Sequence, residues 1–272
     1  MDKYCVFGNP IKQSRSPFIH LSFAETTQQA LNYEKCLVEL DGFEEAVQHF
    51  IAKGAKGANV TAPFKEQALR LSDELSDRAR LAGAVNTLTF INGKVIGDNT
   101  DGEGLVQDLL RNEVSLANSR ILLLGAGGAA KGVISPLLDQ NPAKIVIANR
   151  TVSKAELLIE QFNHNKLMAC GFDSIPVSAY DVIINATSAS LSGKLPPISG
   201  EIISPDTTCY DMVYGKELTP FLVWAKKQGT SKVIDGLGML VGQAAVSFNV
   251  WRDVMPEVEP VISALKLSLS QE

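Results

Sequence analysis

The chain has 272 residues, 45% of them hydrophobic and 20% charged, with a formal net charge of −5. That length fits one large domain or two modest ones, and the apolar content excludes a disordered chain. An acidic balance without a basic block argues against nucleic acid or an anionic membrane as partner, and no apolar run approaches the ~20 residues that span a bilayer.

The predicted elements alternate between strand and helix. Tyr4–Phe7 is a short apolar strand closed by Gly8-Asn9-Pro10. Pro17–Gln29 reads as a helix with Ser16 as N-cap and Pro17 in its first turn. Tyr33–Leu40 reads as a strand, and Phe43–Ala52 carries helical apolar spacing stopped by Gly54. A short strand at Ala58–Thr61 precedes helical stretches at Phe64–Leu71 and Leu75–Leu81. Asn86–Phe90 and Lys94–Gly97 flank Asn92-Gly93, a favoured hairpin turn.

A second unit begins near residue 102, with a helix over Gly104–Arg111 and a continuous apolar strand at Arg120–Leu124. A helix from Gly128 contains Pro136, which is expected to kink it. Strand Lys144–Ala148, helix Val152–Asn163, and strands at Asp181–Asn185, Thr208–Met212 and Lys232–Ile234 follow. Two C-terminal helices, split by Pro256 and Pro260, complete the chain. The alternation implies an α/β fold with parallel sheets in two units.

The residue inventory narrows the chemistry. Cys5, Cys36, Cys170 and Cys209 form no Cys-x-x-Cys pair and read as buried free thiols of a reducing cytoplasm. The first residues carry no long apolar core or small-residue cleavage site, so no secretory signal is expected. His20, His49 and His164 are too scattered for a zinc site or a Ser-His-Asp triad, so no metal is expected. Catalysis therefore falls to Lys, Asp, Ser, Thr, Asn or a cofactor.

The strongest chemical signal is Gly125-Ala126-Gly127-Gly128-Ala129-Ala130, a G-x-G-x-x-A turn between a buried strand and a helix. Gly125 permits the tight turn, Gly127 lets backbone approach a pyrophosphate, and the helix N-terminus offers N–H groups to its phosphates. The next strand ends in Asn149-Arg150-Thr151, with Lys154 one turn on and no acid present. That set suits the 2′-phosphate of NADP rather than the free 2′-hydroxyl of NAD. In the first unit, Ser14-Arg15-Ser16-Pro17 could hold a carboxylate at a helix start. Lys65 and Asp98-Asn99-Thr100-Asp101-Gly102 taken alone read as a solvated lysine and a polar turn.

Together these stretches resemble shikimate dehydrogenase, in the shikimate/quinate dehydrogenase family. The matching series also includes Asn59-Val60-Thr61-x-Pro63-x-Lys65, Gly83 to Thr87, Asn185-Ala186-Thr187-Ser188, Tyr210 to Tyr214, and Asp235-Gly236 through Gln243-Ala244-Ala245. It covers residues 4 to about 251. One departure is Ala189, where the family commonly has Gly.

The resemblance implies NADPH-dependent reduction of 3-dehydroshikimate to shikimate, on the route to chorismate and the aromatic amino acids. It implies a substrate domain of 1–101 plus 237–272, an inserted Rossmann NADP domain of 102–236, and an active site in the cleft between them. Lys65 and Asp101 would form the catalytic pair. Ser14 and Ser16, assisted by Tyr214, would bind the substrate carboxylate, and Thr61, Asn86, Asp101 and Gln243 its ring hydroxyls. Gly125, Ala126, Gly127, Gly128 and Ala129 would hold the phosphates, and Asn149, Arg150, Thr151 and Lys154 the adenosine end. Met212 and Gly236 would bound the nicotinamide, and Asp77 would lie on the cofactor side. The expected partner is a small-molecule substrate, in a cytoplasmic monomer or homodimer. The alternatives are an NAD-preferring quinate/shikimate dehydrogenase and a non-catalytic NADP-binding sensor.

Overall fold

A computed structural model of the protein describes residues 1–271. The chain divides into two compact units, Met1–Gly104 with Val241–Ser263, and Leu105–Leu240 with the tail from Ala264. Residues 237–240 and that tail thus lie with the second unit, whereas the resemblance assigns 237–272 to the first.

In the first unit, β1 (Asp2–Gly8), α1 (Ser16–Thr26), β2 (Leu31–Leu37), α2 (Phe43–Ala52) and β3 (Ala55–Val60) alternate. Then come α3 (Lys65–Leu71), β4 (Glu74–Leu75), α4 (Asp77–Ala82), β5 (Thr87–Ile91), β6 (Lys94–Asp98) and α5 (Asp101–Arg111). Among the described residues the sheet order is β2-β1-β3-β5-β6-β4. β1 pairs in parallel with β2 and β3, but β5 runs antiparallel to both β3 and β6. The sheet is therefore mixed, not parallel as the alternation implies. The β5–β6 reversal is local: Asn92 and Gly93 adopt φ of 52° and 76°, so the chain turns back in two residues instead of crossing over through a helix.

Other expectations shift at their edges. Ser16 does not cap α1; it is the first helical residue, and Arg15 occupies the cap position with no side-chain capping bond. The reason is Ser14, whose Oγ accepts the Ser16 N–H at 3.3 Å and takes over the capping task from one position earlier. Leu75 leaves the predicted helix to pair with β6, and Ser76 caps the shortened α4 by accepting the Ala79 N–H at 3.2 Å. All four cysteines are free, but Cys36 is half-exposed because its strand, β2, is a sheet edge.

One face of this sheet packs Phe7, Phe43, Phe50 and Phe64 with Val47 and Leu88. The other face meets α1 and α9 (Leu237–Arg252) through a stack in which the His20 ring lies 4.3 Å from that of Tyr33 and 5.3 Å from Trp251. Gly57 is needed there, since a Cβ would meet the Trp251 indole at 2.6 Å. The Trp251 Nε1–H donates to the Leu88 carbonyl at 3.1 Å.

The second unit holds β7 (Arg120–Leu124), α6 (Gly128–Asp139), β8 (Lys144–Ala148), α7 (Val152–Phe162), β9 (Leu167–Cys170) and β10 (Val182–Asn185). β11 (Thr208–Asp211), α8 (Pro220–Lys227) and β12 (Lys232–Ile234) follow, and α10 (Glu259–Gln271) ends the described chain. The sheet order is β12-β11-β10-β7-β8-β9, parallel throughout. Read from β9 this is the 3-2-1-4-5-6 order of a doubly wound dinucleotide fold, with its reversal beside β7. The apolar runs of β7, β8 and β10 are buried on both faces, as parallel strands under two helical layers must be. Among the described residues no helix is long and apolar enough to cross a membrane.

Candidate active site

The site in the first unit is built around two charges separated by 36 positions in sequence. Phe64, fully buried, stacks on Phe43 at 5.0 Å between centroids and anchors the entry to α3. Lys65 follows as the first helical residue, its side chain 32% exposed, and its Nζ reaches Asp101 Oδ2 at 2.5 Å. Asp101 opens α5 because Asn99 Oδ1 accepts its N–H at 3.1 Å. Its second oxygen, Oδ1, accepts from Asn86 Nδ2 at 2.8 Å, and the same amide lies 3.3 Å from Gln243 Oε1. The structure thus brings Lys65, Asp101, Asn86 and Gln243 into one polar cluster.

Ser14 and Ser16 face each other with hydroxyls 3.2 Å apart. Thr61 sits at the end of β3, its N–H donating to Phe7 O at 2.9 Å. Tyr33 is buried beneath this region, its hydroxyl donating to Asn59 Oδ1 at 2.7 Å. Burial pushes that phenol well above its ordinary range, with hydrogen bonding to Ser16 offsetting a small part.

A brace under the Asp101 turn escapes sequence reading. Asp98 is 9% exposed and accepts from Arg78 Nε and Nη2 at 2.7 and 2.6 Å, from Ser76 Oγ at 2.5 Å and from the Asn99 N–H at 2.8 Å. Burial pushes the Asp98 carboxyl up, but the Arg78 guanidinium, with Ser76 and Asn99, outweighs it and holds the group below the usual carboxylate range. Asn99 Nδ2 then donates to Ala84 O at 2.9 Å, tying the turn to the chain before Asn86. The bidentate partner lies 20 residues away, so no local pattern announces it.

The second unit presents a cleft of about 590 Å³ at the β7 switch. Gly125 has φ +107°, and a Cβ there would press on the Ala186 carbonyl at 3.3 Å. Gly127 and Gly128 have open space where a Cβ would stand, so the backbone ahead of α6 can be approached directly. No side chain caps this helix. Ala126 and Ala129 line the same cleft, as do Asn149, Arg150, Thr151 and Lys154. Asn149 Nδ2 donates to Thr151 O at 2.8 Å and shapes the strand-end turn. Lys194, which sequence reasoning did not single out, adds a third cation, and no carboxylate side chain lines the cleft. The donor set fits a dinucleotide carrying an extra phosphate.

The far wall, Ala186–Ala189, hangs on a buried carboxylate. Asp211 is fully buried and accepts from Ser190 Oγ and Thr219 Oγ1, each at 2.6 Å, and from Asn185 Nδ2 at 3.2 Å. Asn185 Oδ1 in turn accepts from the Thr187 hydroxyl at 2.7 Å. Ala189 starts a single 3₁₀ turn with ordinary negative φ, so the residue that departs from the family's glycine is accommodated. Gly236 lies against the Met212 backbone, where a Cβ would collide, and its N–H donates to Val213 O at 3.2 Å. Tyr214 follows half-buried in the same unit. Asp77 is an exposed first-turn acid of α4 in the first unit. Among the described residues no group of three or more His, Cys, Asp or Glu could hold a metal ion.

Residues 6–88 match the shikimate dehydrogenase substrate binding domain, residues 106–192 match shikimate/quinate 5-dehydrogenase, and residues 236–266 match the shikimate 5′-dehydrogenase C-terminal domain. The chain is 65% identical over 268 residues, 98% of each chain, to the shikimate dehydrogenase (NADP(+)) of Colwellia psychrerythraea. Its fold matches an Ael1 enzyme of Pseudomonas putida with a TM-score of 0.95 at 43% identity, over 97% of this chain and 98% of the other. It also matches the Thermus thermophilus shikimate 5-dehydrogenase solved with NADP(H) and shikimate, with a TM-score of 0.88 at 30% identity, over 99% of this chain and 100% of the other. By identity over nearly the whole of both chains, this protein belongs to the shikimate dehydrogenase family.

Proposed function

We propose that the protein catalyses the reversible NADPH-dependent reduction of 3-dehydroshikimate to shikimate in the cytoplasm. The observation that carries the reading is the Lys65–Asp101 pair at 2.5 Å, set among Asn86 and Gln243. The first unit takes the substrate and the second the cofactor. Ser14 and Ser16, with Tyr214, bind the substrate carboxylate, while Thr61, Asn86, Asp101 and Gln243 pair with ring hydroxyls. Several such partners are needed, because each unmatched buried polar group costs ~1–3 kcal/mol.

NADPH, when bound, supplies the hydride that reduces the substrate carbonyl carbon. The Lys65 ammonium stabilises the negative charge growing on the carbonyl oxygen and donates its proton there. Asp101 keeps Lys65 aimed through its Oδ2 contact and accepts from Asn86 on Oδ1. In the reverse direction Lys65 takes the hydroxyl proton. The Gly125–Ala129 turn holds the pyrophosphate, Asn149, Arg150, Thr151 and Lys154 the 2′-phosphorylated adenosine, and Met212 and Gly236 flank the nicotinamide. Asp77, an exposed acid in the first turn of α4, stands on the cofactor side.

Absorbance at the nicotinamide band, recorded for shikimate and for quinate with NADP and with NAD, tests the reading. Shikimate with NADP should be the fastest pair; a strong NAD or quinate preference would overturn it. Lys65→Ala should lower kcat by about 10²- to 10⁴-fold while shikimate still binds. Near-normal turnover in that variant would remove Lys65 from the mechanism.

A further inference from the structure

Behind Asn86 and Asp101 lies a group of buried hydroxyls to which the proposed mechanism gives no task. Thr87, at the start of β5, and Ser247, one turn after Gln243 on α9, are both fully buried. Their hydroxyl oxygens are 2.7 Å apart. Thr87 Oγ1 donates to Asn86 Oδ1 at 2.8 Å, and the Thr100 N–H donates to the same oxygen at 2.9 Å. Asn59 Nδ2 lies 3.1 Å from Ser247 Oγ and 3.2 Å from Thr87 Oγ1. Thr100 Oγ1 donates to the Gln243 carbonyl at 2.9 Å.

Counting protons gives the group a direction. The single Thr87 proton goes to Asn86, so the 2.7 Å contact between the two hydroxyls draws on the Ser247 proton, which the Gln243 carbonyl at 3.0 Å shares, and Asn59 supplies a proton to Ser247. The Asn86 carboxamide oxygen is thereby held on the buried side by donors. Its nitrogen must then face Asp101 Oδ1, at 2.8 Å. If the inner donors were lost, the carboxamide could pivot and release one of the two oxygens of Asp101, the group that aims Lys65.

We propose that Thr87 and Ser247 are positioning residues for the reaction, a buried hydroxyl relay that holds the Asn86 carboxamide and, through it, the Asp101 carboxylate beside Lys65. The assignment rests on reading Lys65 and Asp101 as the reacting pair. Thr87→Val removes the hydroxyl with little change in shape, Thr87→Ser keeps it, and Ser247→Ala breaks the relay one step deeper.

The measurements are kcat and KM for shikimate, the pH profile of kcat, NADP binding, and hydrogen exchange of the Asn86 side-chain amide by NMR. Thr87→Val and Ser247→Ala should lower kcat about tenfold, move the pH profile and speed Asn86 exchange, with NADP affinity unchanged. Thr87→Ser should stay within about twofold of the parent. Parent-like kcat, pH profile and exchange in Thr87→Val would overturn the proposal. So would a Thr87→Ser variant as slow as Thr87→Val, since packing of the methyl group would then be the cause. If Thr87→Val fails to fold, Ser247→Ala and Thr87→Ser decide by the same criteria. A parent protein inert toward shikimate and NADP refutes the functional reading; an active one whose kcat and Asn86 exchange ignore the substitutions refutes the relay.

Discussion

Replacing His20 with Phe should flatten the acid limb of the first unit's stability. His20 is fully buried, stacked on Tyr33, and neither ring nitrogen has a hydrogen-bond partner. Burial pushes its pKa from the ordinary 6.5 down to about 3, the neighbouring Asn59 side chain offsetting only part. The folded imidazole therefore stays neutral while the unfolded one takes up a proton as pH falls below 6.5. Proton uptake by the unfolded chain alone lowers stability on acidification. Between roughly pH 8 and pH 5 that linkage removes about 2 kcal/mol. Phe keeps the ring stack and has no proton to bind. Any packing cost of the larger ring is the same at both pH values and cancels from the difference. Urea unfolding followed by Trp251 fluorescence, in a Trp224→Phe background so that only the first unit reports, measures it. His20→Phe should lose about 2 kcal/mol less than the parent over this range. Equal losses in the two proteins would refute a neutral, unpartnered His20.

Arg78→Met should destabilise the first unit by about 3 kcal/mol by leaving the Asp98 carboxylate buried without its counter-ion. Because the folded Asp98 pKa is depressed, its contribution is present above the ordinary carboxylate range and lost as pH falls through the folded value. Asp98→Asn should accordingly weaken the parent's loss of stability at the acid end, as read by denaturant titration at several pH values. Gly125→Ala puts a side chain at φ +107° and against Ala186, which should cost about 1–3 kcal/mol and weaken NADP binding. Thermal midpoint and cofactor titration check this pair of effects, and parent-like values in both would contradict the strained-turn account.

The second unit is the more legible from sequence because its signals are local. A buried strand, a glycine turn and a helix follow one another between residues 120 and 139, and two of the cleft's three cations, Arg150 and Lys154, stand just after the next strand. The first unit is organised by contacts with no sequence period. Lys65 and Asp101 stand 36 positions apart, and neither stands out by itself; only the ordered series of family motifs links them. Arg78–Asp98 and Asp211 with Ser190 and Thr219 escape reading for the same reason: a buried carboxylate announces itself by its partners, which only the fold assembles. Ser16 shows the opposite failure, where a correct local rule is applied one position late because Ser14 competes for the task.

The division of the first unit into two stretches of sequence sets an order on how it can be made. Gln243, Ser247 and Trp251 reach Asn86, Asn59 and Leu88 only after the intervening residues have been synthesised. The second unit, almost continuous from 105 to 240, can close while it is being extended, whereas the first must wait with its sheet exposed. Emergence of α9 from the ribosome is therefore the event that covers the His20 and Tyr33 rings and completes the polar cluster at Asp101. A chain cut short before residue 243 would retain its phosphate turn and the Lys65–Asp101 pair, but would lack Gln243 and the α9 residues that back Asn86.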